Sequence, residues 1–222
     1  MTAITIKNIF TKGSLAALVK IFLPGILVIT VAGICHQIFQ IPFNVYTRDP
    51  IQTLGGKPYV GIISSIGILL WCATATILFF SSVLAYNQGS PGEFVRFLLY
   101  SGAFTAFMLM DDMFLLHDVI FPEYLNISEN YFYLAYGLIL VTFLLLYSKI
   151  LLKTDYILLI LAFGFFVLSA GMDVFTAMVV ELPGEYFFED SFKLLGVISW
   201  FAFFSRTSYM QVKIAGQNRH GN

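Results

Sequence analysis

The residues of this chain most able to do chemistry are acidic side chains and histidines inside long apolar stretches. The densest group is Asp111, Asp112, His117 and Asp118, which fall within one short stretch of sequence. An imidazole with several carboxylates is a ligand set for a divalent cation, and the excess of carboxylates favours Mn²⁺ or Ca²⁺, with Zn²⁺ also compatible. An ionisable side chain inside a membrane span is costly, so it often marks a functional site.

Three other apolar stretches carry polar side chains that could complete such a site. They are His36 and Gln40 near the amino terminus, Ser169 and Asp173 further along, and Glu189, Asp190 and Lys193 near the carboxyl terminus. The predicted ligands of a divalent metal are His36, Asp111, His117, Asp118 and Asp173. A water on that metal would lose its proton more readily, with Asp112 or Glu189 as general base. The predicted supporting residues are Asp190, Lys193, Ser169 and Gln40.

Lys193 also has simpler interpretations that involve no metal. It is spaced to pair with Glu189 one turn earlier on the same helix, an arrangement that stabilises helices by a few tenths of a kcal/mol. It is also the expected partner of Asp173, which has no cationic neighbour one turn away in the sequence.

The elements that must position these residues are membrane-spanning helices. The 222 residues are 59% hydrophobic and 11% charged, whereas about 25% charge is usual in soluble domains. Twelve Lys and Arg against thirteen Asp and Glu give a net charge of −1, which leaves no basic excess for binding nucleic acid. We therefore predict an all-α integral membrane protein and exclude nucleic-acid binding as a main function.

A spanning helix needs about 20 mostly apolar residues, and six stretches of the chain meet that requirement. They cover residues 14–40, 59–86, 94–121, 131–152, 155–180 and 188–209. Proline, glycine and polar residues separate them, as expected for turns between helices. We predict a single membrane domain over residues 1–222, built as a bundle of six helices.

The basic residues predict the orientation, because they favour the cytoplasmic side of short loops. With the amino terminus inside, nine of them lie on the cytoplasmic side: Lys7, Lys12, Lys20, Arg96, Lys149, Lys153, Arg206, Lys213 and Arg219. The other three, Arg48, Lys57 and Lys193, lie outside. Both termini are then cytoplasmic, in a multi-pass protein of the cell membrane, of bacterial inner-membrane type. An outer aromatic belt is predicted at Tyr131, Tyr133, Tyr136 and Tyr186.

In this orientation the polar groups of four helices fall in the outer half of the bundle, facing the periplasm or cell exterior. On a regular helix, Asp111 and Asp118 lie within about 20° of each other, Asp112 about 100° to one side and His117 about 120° to the other. In one arrangement the three aspartates point inward and His117 lies near the surface. In the other, Asp112 faces a neighbouring helix and the remaining three point inward. His117 and Asp118 could also simply cap the helix end in water.

The placement of polar residues at one depth resembles that of the ceramidase-like membrane hydrolases, whose helices carry Ser, Asp and His at one level. This chain lacks the paired His-x-x-x-His of their last helix and has Glu189-Asp190-Ser191-Phe192-Lys193 in that place. The cluster and this resemblance favour a metal-dependent intramembrane hydrolase that acts on a lipid or another amphipathic substrate.

Two other functions fit the same residues. Buried carboxylates could load and release protons or cations in a transport or sensing module. The lack of an internal repeat counts against transport, and so does the small number of polar groups toward the cytoplasm, where Ser81, Ser82 and Asn87 are the candidates. The third interpretation is a non-catalytic membrane subunit whose polar patch docks a partner.

Overall fold

The computed structural model describes residues 12–178 and 185–220, with side chains described over 19–45, 47–128, 131–172 and 187–210. Regular secondary structure in these ranges is helical throughout, which confirms the all-α prediction. The α-helices are α1 (Lys12–Phe39), α2 (Phe43–Thr47), α3 (Pro50–Thr53), α4 (Ile62–Asn87), α5 (Gly92–Phe114), α6 (Glu129–Leu151), α7 (Tyr156–Met178) and α8 (Glu185–His220), and a π-helix covers Leu116–Tyr124.

Among the residues with described side chains, four helical segments are long and apolar enough to cross a membrane. They are Val19–Phe39, Ile62–Asn87, Gly92–Phe114 and Tyr131–Leu151, and a shorter apolar stretch covers Tyr156–Met172. These four correspond to the first four predicted spans. The count of six spans and the orientation of the termini stay predictions.

The chain divides into two compact units, Met1–Val60 and Gly61–Asn222. In the first unit, Asp49 begins α3 by accepting a hydrogen bond from the backbone N–H of Gln52 at 3.0 Å, as capping aspartates do. In the second unit, α4 packs against α5 and α8, and α7 packs against α8. The prediction of a single domain is not tested by this division.

Aromatic side chains fill the core of the second unit. The ring of Trp200 is fully buried and meets Phe204 at 4.8 Å and Trp71 at 6.0 Å between ring centres, both edge to face. Beside it α7 comes very close to α8, because a Cβ atom placed on Gly196 would lie 2.5 Å from the Phe166 ring. Helices in membranes often approach closely where one of them carries a small residue.

The predicted third span, residues 94–121, is not one continuous helix. It ends as an α-helix at Phe114, and Leu115 takes a left-handed conformation with φ 52° and ψ 47°, which is uncommon for a residue with a Cβ atom. The π-helix follows, and the carboxylate of Asp111 accepts the backbone N–H of His117 near its start, at 3.0 Å. That bond satisfies one of the amides that a new helix leaves free. The regular 100° spacing therefore stops at Leu115.

Candidate functional site

Asp111 is the buried centre of the polar site. Its side chain lies in the last turn of α5 and is almost fully enclosed, with the residue 2% exposed. One carboxylate oxygen, Oδ1, accepts the backbone N–H of His117. The other, Oδ2, accepts the hydroxyl of Tyr136 from α6 at 2.8 Å. A buried carboxylate needs such donors, because an unpaired one would carry a large desolvation cost.

The imidazole of His117 lies between two carboxylates. Its Nδ1 atom is 2.7 Å from Oδ2 of Asp111, at ion-pair distance but poorly aligned for a ring N–H hydrogen bond. Its Nε2 atom is 2.9 Å from Oδ1 of Asp118, whose side chain is 46% exposed. Tyr133 and Tyr136 contact the ring edge to face at 5.7 and 6.2 Å between ring centres. The site therefore reaches from the buried Asp111 to the half-exposed Asp118.

This geometry favours the imidazolium form of His117. A neutral imidazole carries one N–H and can donate to one acceptor, whereas the protonated ring donates from both nitrogens. Although Nδ1 is poorly aligned for a hydrogen bond, both ring nitrogens lie at ion-pair distance from a carboxylate, so Asp111 and Asp118 both attract the positive charge of the doubly protonated ring.

Asp112, the next residue on α5, faces the other side of the helix. Its Oδ1 atom lies 2.7 Å from the ammonium of Lys193 on α8, and its Oδ2 atom accepts the indole N–H of Trp71 on α4 at 2.8 Å. The carboxylate is 12% exposed and the Lys193 side chain 38%. The structure thus has the second predicted arrangement, with Asp112 facing neighbouring helices and His117 buried, although Asp118 is partly exposed because of the break at Leu115.

Asp190 of α8 lies near this pair. Asp190 and Lys193 line a small cavity of about 10 Å³ together with Asp112 and Gly67. A volume of this size is close to the minimum that one water molecule needs. Glu189, the second predicted general base, is half-buried in the first turns of α8.

Two predicted site residues lie on α7. Ser169 is buried in the bundle. Asp173 belongs to the helix, but its side chain lies outside the described residues, so its role as a ligand stays a prediction. Lys193, its expected partner in the absence of a metal, is bonded to Asp112.

His36 and Gln40 belong to the amino-terminal unit, at the end of α1, and both bond locally. The Nδ1 atom of His36 lies 2.6 Å from the carbonyl oxygen of Ile41, and its ring stacks on Phe43 with 3.9 Å between ring centres. The side-chain amide of Gln40 donates to the carbonyl of Gln37 at 2.8 Å.

Three of the five predicted metal ligands, Asp111, His117 and Asp118, lie in contact with one another. They form a chain in which each imidazole nitrogen faces one carboxylate. Over the part of the chain with described side chains, no group of three or more His, Cys, Asp or Glu residues is arranged to hold a metal ion. The divalent metal, whether Zn²⁺, Mn²⁺ or Ca²⁺, stays a prediction.

Two residues of the site are not recognisable from the sequence alone. The sequence predicts Tyr136 in the outer aromatic belt, but its hydroxyl donates to Asp111. Trp71 lies in the middle of an apolar helix, where nothing in its neighbourhood indicates a polar role, and its indole N–H binds Asp112. The available signal is general: buried carboxylates require donors, and tyrosine and tryptophan are the aromatic residues that supply them.

A family model described as a domain of unknown function, DUF8692, matches residues 21–207. No curated protein and no solved structure matches the chain. The matched range includes every candidate site residue from His36 to Lys193.

Proposed function

We propose that this chain, which belongs to the DUF8692 family, is a membrane protein that takes up and releases a proton or a cation at Asp111, His117 and Asp118. The observation that carries the proposal is the position of the His117 ring, 2.7 Å from one carboxylate and 2.9 Å from the other. Loss of the ring proton would leave one nitrogen facing a carboxylate with no proton to share. The charge state of the cluster therefore controls how strongly its three side chains attract one another.

A sensing role is supported by the link between this cluster and the backbone. Asp111 binds both the ring of His117 and its backbone N–H, so a change of charge at the ring acts on the carboxylate near the start of the π-helix. Switches of this kind combine a local change of charge with an element that has two arrangements.

A transport role is supported by buried hydroxyl groups along the second unit. They are Thr74, Ser81 and Ser82 on α4, Ser101 and Thr105 on α5, and Thr207 and Ser208 on α8. The hydroxyl oxygens of Thr207 and Ser208 are buried with no hydrogen-bond partner in the part of the chain that the structure describes. These two residues add polar groups to the few that the sequence offered toward the cytoplasm.

The proposal is tested by measuring the protonation of His117 in bilayers with ¹⁵N NMR. The chain has three histidines, so His117→Gln identifies the signal of the cluster. We expect a doubly protonated ring at neutral pH in the wild type and a neutral ring in Asp111→Asn. Asp155→Asn, which removes a half-exposed carboxylate paired with Arg206, is the matched control and should leave the signal unchanged. A neutral His117 in the wild type at pH 7 would refute the proposal.

Ion flux in reconstituted vesicles separates transport from sensing. A proton or cation transporter should show flux that Asp111→Asn removes and Asp155→Asn preserves. A sensor should show no flux while His117 still titrates.

The second candidate is a metal-dependent membrane hydrolase acting on a lipid-like substrate. The contact among Asp111, His117 and Asp118 favours it, because a divalent cation could replace the proton between imidazole and carboxylate. Asp112 could act as base only after releasing Lys193 or Trp71, which occupy its two oxygens. Stoichiometric metal in the purified protein that disappears in Asp111→Asn would support this function, and a metal-free preparation of unchanged stability would exclude it. Docking of a partner stays a prediction.

A further inference from the structure

An apolar cleft of about 530 Å³ lies between α5 and α6, within the size range of small-molecule pockets. Tyr100, Phe104 and Phe107 line it from α5, Leu138 and Tyr147 from α6, and Trp200 of α8 lies against it. All of these residues belong to the second unit, and none of them is charged.

The cleft exists because aromatic side chains hold α6 beside α5. At one end the Phe97 ring contacts Phe143 and Tyr147, at 5.6 and 5.3 Å between ring centres. At the other end Phe107 contacts Tyr136 edge to face at 6.0 Å. Between these two sets of aromatic contacts, the space between α5 and α6 is open to a ligand.

Three polar side chains at the cleft, Ser101, Thr142 and Trp200, already donate hydrogen bonds inside the protein. Ser101 donates to the carbonyl of Phe97 at 2.7 Å, and Thr142 donates to the carbonyl of Leu138 at 2.7 Å. The indole N–H of Trp200 donates to the hydroxyl of Thr105 at 3.1 Å. An occupant would meet hydrocarbon and aromatic surface, and its own polar groups would find few free donors there, so the cleft selects an apolar chain.

The length and the opening of the cleft fit one lipid chain. Its lining spans Tyr100 to Phe107 on α5 and Leu138 to Tyr147 on α6, which correspond to about 10 and 13 Å at 1.5 Å per residue. One leaflet contributes about 15 Å of hydrocarbon, half of a core of roughly 30 Å. Leu138 is 60% exposed on the rim of the cleft, so a chain could enter sideways from the bilayer.

We propose that this cleft is a binding site for one acyl chain of a bilayer phospholipid, entering between α5 and α6. Tyr136 connects the cleft to the polar cluster, because its ring contacts Phe107 and its hydroxyl donates to Asp111. The bound chain therefore lies next to that cluster. Binding itself rests on the apolar walls and is independent of the charge of that cluster.

Photo-crosslinking of the full chain in vesicles tests the site. The probe is phosphatidylcholine with a diazirine in the middle of one acyl chain, diluted into unlabelled phosphatidylcholine. We expect crosslinks concentrated on residues 100–107 and 138–147, saturating at one probe per chain. Crosslinks spread over all helices in proportion to exposed surface, without saturation, would overturn the proposal.

A cleft-filling variant supplies the matched comparison. Ile139→Trp places a large ring on the cleft lining, whereas Leu145→Trp places the same ring on an α6 residue that does not line the cleft and is 73% exposed. We expect crosslinking within the cleft to fall at least fivefold in the first variant and less than twofold in the second. Equal losses in both would contradict the proposal.

Asp111→Asn should bind the probe as the wild type does, so failure of the proton-binding function and failure of the lipid site are distinguishable. If a variant does not fold, the wild-type crosslinking map alone decides.

Discussion

Asp111 and Asp112 are neighbours in the chain, yet their carboxylates bind partners on different sides of α5. Asp111 binds toward the π-helix and α6, whereas Asp112 binds Lys193 on α8 and Trp71 on α4. Consecutive residues on a helix differ in direction by about 100°, so two adjacent acids can connect one helix to neighbours on different sides. Each carboxylate has its own donors, and substitutions should affect them separately.

Removing the charge of Asp112 should destabilise the protein. In Asp112→Asn the Lys193 ammonium loses its anionic partner while it stays partly enclosed. We expect a loss of about 1–3 kcal/mol in the free energy of unfolding, less than for a fully buried pair because Lys193 is partly exposed to solvent. Unfolding in detergent micelles measures this change.

Adding Lys193→Met to Asp112→Asn tests whether the unpaired ammonium causes the loss of stability. The double variant should recover part of the stability lost in Asp112→Asn, because no unpaired ammonium remains. Asp155→Asn, at the more exposed pair with Arg206, should cost less than about 1 kcal/mol. Equal losses at the two sites would contradict a special role for the Asp112 pair.

Tyr136→Phe tests the hydroxyl that binds Asp111. The ring and its contacts remain, but a buried carboxylate oxygen loses a donor, which should cost about 1–3 kcal/mol in the free energy of unfolding. Tyr131→Phe on the same helix is the control, because Tyr131 is 68% exposed. If both substitutions have the same effect on thermal unfolding, the hydroxyl of Tyr136 does not support the cluster.

At the scale of the helices, two local features determine how the site is assembled. The left-handed Leu115 ends α5 and lets the π-helix turn His117 back toward Asp111. Gly196 lets α8 lie close to Phe166 of α7, one turn beyond Lys193. A larger side chain at Gly196 would therefore disturb the contact between α7 and α8 one turn away from Lys193.

Gly196→Ala should lower stability, although alanine is the better helix former. The added Cβ atom would lie 2.5 Å from the Phe166 ring, and overpacking of this kind typically costs about 1–3 kcal/mol. Gly164→Ala on α7 is the matched control, because nothing lies within 4 Å of its Cβ position; it should be neutral or stabilising by up to about 1 kcal/mol. Thermal unfolding of both variants decides, and a neutral Gly196→Ala would show that α7 and α8 are not closely packed there.

Over the full sequence, the predicted topology separates basic from acidic residues. Nine of the twelve basic residues lie on the predicted cytoplasmic side, whereas only Glu93 and Asp155 of the thirteen acids do. The net charge of −1 is then the sum of a positive cytoplasmic side and a negative outer side, and the polar site lies on the negative side.

Cysteine labelling tests this topology. After replacement of Cys35 and Cys72 by alanine, Ser128→Cys lies between the π-helix and α6, and Ser90→Cys lies between α4 and α5. In whole cells a membrane-impermeant maleimide should label Ser128→Cys at once and Ser90→Cys only after the cells are broken. The reverse pattern would show that the orientation is opposite to the predicted one. Labelling of both cysteines from outside would contradict the predicted third span, which separates them.

Much of the fold follows from local properties of the sequence. Apolar length and turn residues predict α1, α4 and α6 to within about three residues at each end, because span length depends on the thickness of hydrocarbon rather than on tertiary contacts. The same pattern misses the break at Leu115, since a single side-chain bond from Asp111 to a backbone N–H produces no change in hydropathy.

Residue types and their order predict a helical protein with apolar spans, and they mark Asp111, Asp112, His117 and Asp118 as its most unusual residues. The partners of these side chains depend on the fold: Lys193 and Trp71 for Asp112, and Tyr136 and the His117 ring for Asp111. Hydropathy is a sum over neighbours in the chain, whereas hydrogen bonds and ion pairs depend on how each helix is rotated and where it ends. A shift of one residue turns a side chain by about 100°, enough to replace every one of these contacts.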